Sequence, residues 1–277
     1  MMKMGTQTIL TGMALTALLL GVARAEPVII GGAALLPESM TTALSAGCET
    51  KESSVQLQFD RGPSDIFDLL KDRADIVLMS RYMTAGEMAV AKKAGLTLHP
   101  FTFAYEGRAM VVNRQNPLNH ISREQARRIF AGDINDWQTL GAGADALYIL
   151  AQVDEHIVKS HDETIDEPPP ANAKISPMPE NLHLASADAV LMAVSENNIL
   201  GWIGTSWLKD ARAVKILSVD GLLPTVAAVQ GRSYPYIQGI YLYTRGLPEG
   251  KVREAVTYLT GPAGRKVLVE YGMVPGR

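Results

Sequence analysis

The residues best placed to bind a ligand follow a short apolar run. Residues 76–79 are all apolar, and Ser80 and Arg81 come directly after them. The run predicts a buried parallel strand, and Thr84 and Glu87 have the spacing of a capping box that opens a helix. In α/β sheets, ligands bind beyond the carboxyl ends of the strands. We therefore predict a ligand site at Ser80 and Arg81.

A second candidate site is the glycine turn near the start of the chain. An apolar run ends at Gly31 and Gly32, and a helix is predicted to begin at Ala33 and to continue to about Ala46, with Pro37 in its first turn. A helix N-terminus offers free backbone N–H groups and the positive end of a dipole, so such a turn can hold an anion. An ordinary strand-to-helix turn has the same spacing, and the pattern leaves both interpretations open.

The elements around these residues predict the fold class. Residues 55–59 alternate like a half-buried strand, and Ser64 or Asp65 should cap the helix that follows. Another strand is predicted around 96–103. Three strand–helix units in succession indicate an α/β fold with a parallel, doubly wound sheet.

The N-terminus predicts export. Lys3 precedes an apolar segment of signal-peptide length, and Ala23 and Ala25 are small residues at the positions that a signal peptidase reads. The segment is shorter than the roughly 20 apolar residues of a membrane span. We predict cleavage after Ala25, which places the mature protein in the periplasm or outside the cell.

Composition excludes some classes of function. The formal charge is −3, and it becomes −5 when the leader takes Lys3 and Arg24 with it. A nucleic-acid-binding surface needs clustered basic residues, so we expect no nucleic-acid partner. Cys48 is the single cysteine of the chain and cannot form an intramolecular disulfide.

Two groups of residues suggest other chemistry, a metal site or hydrolysis. His156, His161 and Asp162 supply metal-ligand atoms, but their spacing is loose and no third strong ligand is fixed nearby, so we predict no metal. Acid and base candidates for hydrolysis are Asp65, Asp154, Glu155 and His156. The sequence has no nucleophile elbow, no His-Glu-x-x-His motif and no phosphate-binding loop, so we predict no enzyme.

A set of motifs extends over nearly the whole chain after residue 25. In the middle stand Val111-Val112-Asn113, Asn116-Pro117, Ile129-Phe130-Ala131-Gly132-Asp133-Ile134-Asn135-Asp136-Trp137 and Leu140-Gly141. Upstream stand Asp75-Ile76, Ser80-Arg81 and Glu87, and downstream stand Asp220-Gly221-Leu222-Leu223-Pro224-Thr225, Tyr234-Pro235, Tyr241-Leu242-Tyr243 and Tyr271-Gly272-Met273-Val274-Pro275. In type and order these motifs resemble those of the periplasmic phosphate-binding proteins of ABC importers.

The resemblance implies a two-lobed periplasmic-binding-protein fold. Each lobe would be a mostly parallel sheet flanked by helices, and two crossover strands would join the lobes. Residues 26–106 together with 233–277 would form lobe one, and residues 107–232 would form lobe two. Residues 104–107 and 233–236 are the expected crossing points. Closure would be a hinge motion driven by contacts that a ligand makes in the closed form.

The same resemblance assigns ligand positions in lobe one. The family's first turn reads like Gly-Ala-Thr-Phe-Pro, and the matching positions implicate Ala34, Leu35 and Leu36, which keep the backbone donors but lack the hydroxyl. The family's second turn is rich in glycine and serine, and here it contains Ser64 and Asp65. A carboxylate at Asp65 would repel a bound anion.

Lobe two departs furthest from the family pattern. After the strand predicted at 147–150 the family has an arginine and then Gly-Ser-Gly-Thr, whereas residues 151–156 contain neither arginine nor glycine. The ligand positions there become Gln152, Asp154 and His156, and Arg81 remains as the cation of the cleft. Neutral or amide-bearing ligands would suit Gln152, Asp154 and Ser64 better than phosphate does.

The sequence thus predicts a secreted solute-binding protein that holds a small ligand, most simply an anion such as phosphate, and needs no cofactor. Its expected partner is an ABC permease or another envelope protein. A scaffold that serves as an envelope sensor or interaction partner without binding phosphate is the main alternative, and a hydrolase is a more distant one.

Overall fold

The computed structural model describes residues 26–49, 55–62, 64–152 and 179–276. The strands are β1 (Val28–Gly31), β2 (Leu57–Phe59), β3 (Ile76–Met79), β4 (Leu98–Asn113), β5 (His120–Ile121), β6 (Ile149–Gln152), β7 (Leu182–Ala185), β8 (Leu200–Gly204), β9 (Val214–Ile216), β10 (Ser218–Val219), β11 (Ile237–Arg245) and β12 (Val274–Pro275). The helices are α1 (Glu38–Cys48), α2 (Ile66–Leu70), α3 (Ala85–Lys93), α4 (Arg123–Phe130), α5 (Ala187–Glu196), α6 (Val226–Gln230), α7 (Gly250–Thr260) and α8 (Pro262–Glu270). Short 3₁₀ turns occupy Ala33–Leu35, Gln138–Leu140 and Thr205–Leu208.

One mixed sheet runs through the molecule in the order β2-β1-β3-β11-β4-β8-β6-β7. We call the β2-β1-β3-β11 side with α1, α2, α3, α7 and α8 lobe one, and the β8-β6-β7 side with α4, α5 and α6 lobe two. β1, β2 and β3 are parallel, as the sequence predicts, and so are β6, β7 and β8. β11 is antiparallel to both of its neighbours, β3 and β4.

β4 is one long strand that extends well beyond the strand predicted around 96–103. Its residues from Leu98 to Gly107 pair with β11 with one register shift, and the residues from Arg108 onward pair with β8 and β9. Residues 104–107, the expected crossing point, lie within this strand and opposite partners in β11. The strand therefore carries the backbone from lobe one into lobe two without a break.

Helices cover both faces of the sheet in each lobe. In lobe one, α1, α7 and α8 bury one apolar face, and α2 and α3 bury the other. In lobe two, α4 packs on one face and α5 on the other. Cys48, the last residue of α1, lies in the core of lobe one. Among the described residues, no helix is both long enough and apolar enough to span a membrane.

Local capping follows the sequence closely. Thr84 and Glu87 form the expected capping box of α3, and Asp65 caps α2 by accepting a hydrogen bond from the Phe67 N–H. The first helix is an exception, because α1 begins at Glu38 rather than at Ala33. Pro37 restricts the residue before it to extended backbone, and Leu36 is extended, so the turn and the helix are separate elements.

Candidate functional site

Three turns of lobe one meet at one edge of the sheet. Because β1, β2 and β3 are parallel, their carboxyl ends point the same way, and Ile30 pairs with Phe59 on one side and with Ile76 on the other. The turns after these strands hold the lobe-one residues that the sequence proposes as ligand contacts: Ala34, Leu35, Leu36, Ser64, Asp65, Ser80 and Arg81. The fold thus brings all seven positions to the same edge of lobe one.

The first of these turns is tightly built. Gly32 has a φ of 74°, and a methyl group added there would collide with the carbonyl oxygen of Leu78. The N–H groups of Leu35 and Leu36 donate to the carbonyls of Gly32 and Ala33, at 3.2 and 3.1 Å. These two amides are therefore engaged within the turn, and a ligand would have to share them.

The second turn is held by a buried carboxylate. Ser64 Oγ donates to Asp68 Oδ2 at 2.7 Å, and Arg73 Nε donates to Asp68 Oδ1 at 2.7 Å. Burial raises the pKa of Asp68, but the hydrogen bonds from Ser64, Asp65 N–H and Arg73 outweigh it, so the pKa lies below its usual range. The Ser64 hydroxyl is thus oriented by the helix beneath it.

Arg81 is neutralised by a neighbour. Its Nη1 and Nη2 each donate to one carboxylate oxygen of Glu87, both at 2.8 Å, and Nη1 also reaches the Tyr82 carbonyl at 3.1 Å. Burial raises the pKa of Glu87, but hydrogen bonds from Arg81 and Thr84 bring it to about 2. Arg81 thus lies at the predicted edge with its positive charge balanced by Glu87 of α3, and its role as a ligand contact stays a prediction.

A polar cluster lies where the lobes meet, and the sequence predicts only one of its members, Gln152, as a ligand position. Glu106, Arg108 and Gln238 are 1%, 5% and 3% exposed, and Gln152 is 3% exposed. Arg108 Nη1 donates to the side-chain oxygens of Gln152 and Gln238, at 3.0 and 3.1 Å. Burying so many polar groups is costly unless they are bonded to one another or serve a ligand.

The cluster is fixed from lobe two. The Gln152 oxygen also accepts the Gly204 N–H at 3.0 Å, and Glu106 Oε2 accepts the Ser206 N–H at 3.0 Å. The Arg108 guanidinium lies 5.8 Å from the centre of the Trp202 ring. Arg108 and Gln152 therefore have little freedom to move, and they present a preorganised set of donors and acceptors.

The crossing backbone is braced as well. Tyr234 is fully buried, and its hydroxyl donates to the Arg108 carbonyl at 3.1 Å. Burial raises the pKa of Tyr234 well above its ordinary value, so the hydroxyl stays protonated as the donor. This bond ties the segment that precedes β11 to β4 at the junction.

One sequence signal could have pointed to the cluster. Glu106, Gly107 and Arg108 interrupt an otherwise apolar strand, which is unusual for residues buried on both faces of a sheet. Their partners are 44 to 130 residues away along the chain, so pairing could not be inferred.

The remaining predicted positions are not tested by the structure. Asp154 and His156 lie outside the described residues, as do His161 and Asp162. In the part of the chain that is described, no three side chains of the metal-ligating types come together. Two surface grooves occur elsewhere, one of about 620 Å³ beside Tyr148 and one of about 390 Å³ between Lys209 and Tyr271.

A family model for the PBP superfamily domain matches residues 66–262, which is most of the chain. The chain belongs to the PBP superfamily. The matched region includes β3, all of β4 and β11, and the whole of lobe two as described. The two-lobed architecture with its crossing strands is the fold expected of this superfamily member.

Individual relatives agree with this membership. The phosphate-binding protein PstS of Bacillus subtilis is 26% identical over 176 residues, which span 62% of this chain and 56% of the relative. A substrate-binding protein of Clostridium perfringens assigned to phosphate ABC transport, solved with bound phosphate, aligns with a TM-score of 0.73, 19% identity, and coverage of 91% of this chain and 100% of that one. An ABC-type phosphate transport receptor of Vibrio cholerae aligns with a TM-score of 0.65 and 20% identity, and the alignment covers 89% of this chain and 99% of that one. At these identities the structural matches establish the fold of this PBP superfamily member.

Proposed function

We propose that this protein is the solute-binding component of an ABC importer and that it holds inorganic phosphate, or an oxyanion like it, between its lobes. The observation that carries the proposal is the buried Arg108 cluster at the lobe junction of a chain that belongs to the PBP superfamily. The names of the relatives, which are phosphate-binding proteins, support phosphate as the first ligand to try. No catalytic step is part of the proposal.

Arg108 replaces the arginine that the sequence lacks after β6. A guanidinium is a rigid fork of donors and matches the oxygens of phosphate. Arg108 reaches the end of β6 from the crossing strand β4, and its Nη1 bonds to Gln152 at that end. Lobe two thus receives a cation from a different part of the sequence than the family pattern provides.

A neutral or zwitterionic solute is the second candidate. Arg81 is paired with Glu87, and Glu106 lies two residues from Arg108 on the same strand, so the described part of the cleft carries acids beside both arginines. Gln152 and Gln238 have amide groups that accept and donate hydrogen bonds equally well. Such a site favours a ligand with mixed donors and acceptors.

The proposal also covers the leader, the lobe boundaries, the ligand contacts and the partner. We place the leader at residues 1–25 with cleavage after Ala25, lobe one at 26–106 plus 233–277, and lobe two at 107–232. The ligand contacts are Ser64, Asp65, Ser80, Arg81 and the turn at Ala34, Leu35 and Leu36 in lobe one, and Arg108, Gln152, Asp154 and His156 in lobe two. The partner is an ABC permease or another envelope protein.

Arg108→Gln tests the ligand assignment. The change removes the charge while keeping an amide, and we expect phosphate affinity in calorimetric titration to fall at least 100-fold. Arg123→Gln is the matched control, because Arg123 pairs with Asp220 on the exposed surface. Circular dichroism checks folding, and Arg108→Lys, which keeps the charge without the fork, is measured if the glutamine variant does not fold. Unchanged phosphate affinity in folded Arg108→Gln would rule out this residue as the anion's cation, and unchanged affinity in Arg108→Lys would rule out a requirement for the guanidinium fork.

A further inference from the structure

At the cleft edge, one aromatic side chain of lobe two contacts lobe one directly. Trp207 stands in the 3₁₀ turn after β8, in lobe two, and its indole Nε1 donates to the carbonyl of Leu35 in lobe one at 3.4 Å. The Arg61 guanidinium, which follows β2 in lobe one, lies 5.9 Å from the centre of the Trp207 ring. The indole is 8% exposed, so the cleft edge is closed over it.

In lobe one, Arg61 is held in position to contact the Trp207 side chain. Arg61 Nη1 donates to the Leu36 carbonyl at 2.9 Å and approaches the Ala33 carbonyl at 3.5 Å. The guanidinium is therefore held by the first turn independently of lobe two, with one face available for an aromatic ring. A cation over an indole is the strongest pairing of this kind.

Lobe two presents Trp207 on a rigid support. The Ser206 N–H, one residue before Trp207, donates to the buried carboxylate of Glu106 on β4. A methyl group added at Gly204 would collide with that same carboxylate, so the turn sits directly against the crossing strand. On the far side of the turn, Lys209 Nζ lies 4.1 Å from the centre of the Tyr271 ring of lobe one.

We propose that Trp207 and Arg61 are positioning residues that hold the lobes in the closed arrangement and thereby set the affinity of the cleft for its ligand. Trp207 docks on the same turn, Ala33–Leu35, that is a candidate ligand contact. Closing the lobes therefore fixes this turn. A ligand that needs the closed form binds more tightly in proportion to the fraction of ligand-free protein that is already closed. The affinity part of this inference rests on the proposed function; the lobe contact itself does not.

The test is an interlobe distance measured without any ligand. Spin labels at Lys92→Cys on α3 and Glu196→Cys on α5, both exposed sites, report the separation of the lobes by pulsed electron resonance in a Cys48→Ala background. We expect one narrow short distance in the parent and a longer, broader distribution in Trp207→Ala. Trp207→Phe keeps the ring over Arg61 but loses the N–H, and should be intermediate. Arg61→Met should shift the distance in the same direction.

Trp137→Phe is the matched control. Trp137 is also a buried tryptophan whose Nε1 donates to a carbonyl, that of Asn198 at 2.9 Å, but both residues belong to lobe two. Its replacement should leave the interlobe distance unchanged. Equal distributions in the parent and in every folded Trp207 and Arg61 variant, or a broad distribution in the parent itself, would overturn the inference.

Phosphate titration of the same variants separates the two proposals. With phosphate as the ligand, we expect Trp207→Ala to bind about 10-fold more weakly and Trp207→Phe about 3-fold more weakly. A parent that binds no phosphate would refute the proposed ligand, yet the distances in the free protein would still decide whether Trp207 holds the lobes. A Trp207→Ala variant that opens but binds phosphate as tightly as the parent would refute the coupling to affinity.

Discussion

Replacing Glu87 with glutamine isolates the charge of the carboxylate that pairs with Arg81. Glutamine keeps the hydrogen bond to the Thr84 N–H, because it serves equally well at this capping-box position. Lowering the Glu87 pKa from 4.5 to about 2 corresponds to about 3 kcal/mol of stability. The side chains of Arg81 and Glu87 are 13% and 18% exposed, so water screens part of this interaction. We therefore expect Glu87→Gln to lower the free energy of unfolding by about 2 kcal/mol at pH 7.

The pH dependence gives a second signature of the same pair. Because the pKa is lower in the folded protein, the carboxylate stabilises the fold fully above about pH 4.5, and this contribution is lost as the pH falls toward 2. Urea unfolding at several pH values between 7 and 3 should therefore show that the difference in free energy of unfolding between the parent and Glu87→Gln becomes smaller as the pH falls. Glu124→Gln breaks a similar pair with Arg127 on the exposed face of α4 and should change stability less. A Glu87→Gln variant as stable as the parent at pH 7, with the same pH slope, would refute the reasoning.

Two further predictions concern stability, and both are measured by urea unfolding. Gly32 and Gly95 have nearly the same φ, 74° and 73°, but of the two only Gly32 would place an added methyl group against a backbone oxygen. Gly32→Ala should therefore destabilise the protein by about 3 kcal/mol and Gly95→Ala by about 1 kcal/mol. Equal losses would show that crowding at the Leu78 carbonyl is irrelevant. Trp137→Phe loses a buried hydrogen bond to the Asn198 carbonyl and part of a fully buried ring, and should cost about 2 kcal/mol, whereas a change below about 0.5 kcal/mol would mean that the site repacks around phenylalanine.

Short-range signals predicted much of this fold. The capping residues Thr84 and Asp65 act as the sequence indicates, because a cap depends only on residues two or three positions away. The parallel strands that end at Gly31 and Met79 follow from local apolar runs. The sequence predicts the start of α1 too early, because Pro37 is taken as a first-turn proline, whereas it restricts Leu36 to extended backbone and separates the turn from the helix.

The proposed binding residues are harder to predict because their environment is set by distant parts of the chain. The sequence predicts Arg81 as a cation at the cleft but not its ion pair with Glu87, which is assigned only as a helix cap. Arg108 depends on Gln152 and Gln238, and Trp207 depends on Leu35, and each of these contacts joins residues at least 44 positions apart along the chain. Propensity and periodicity carry no information about such pairs.

Calorimetric titration of the protein with inorganic phosphate, after exhaustive removal of any ligand carried through purification, tests the central claim most directly. We expect saturable one-to-one binding in the micromolar range or tighter at near-physiological salt, with the affinity lost in Arg108→Gln. An absence of both heat and thermal stabilisation at millimolar phosphate would contradict it and would favour a neutral solute or a protein partner for this cleft.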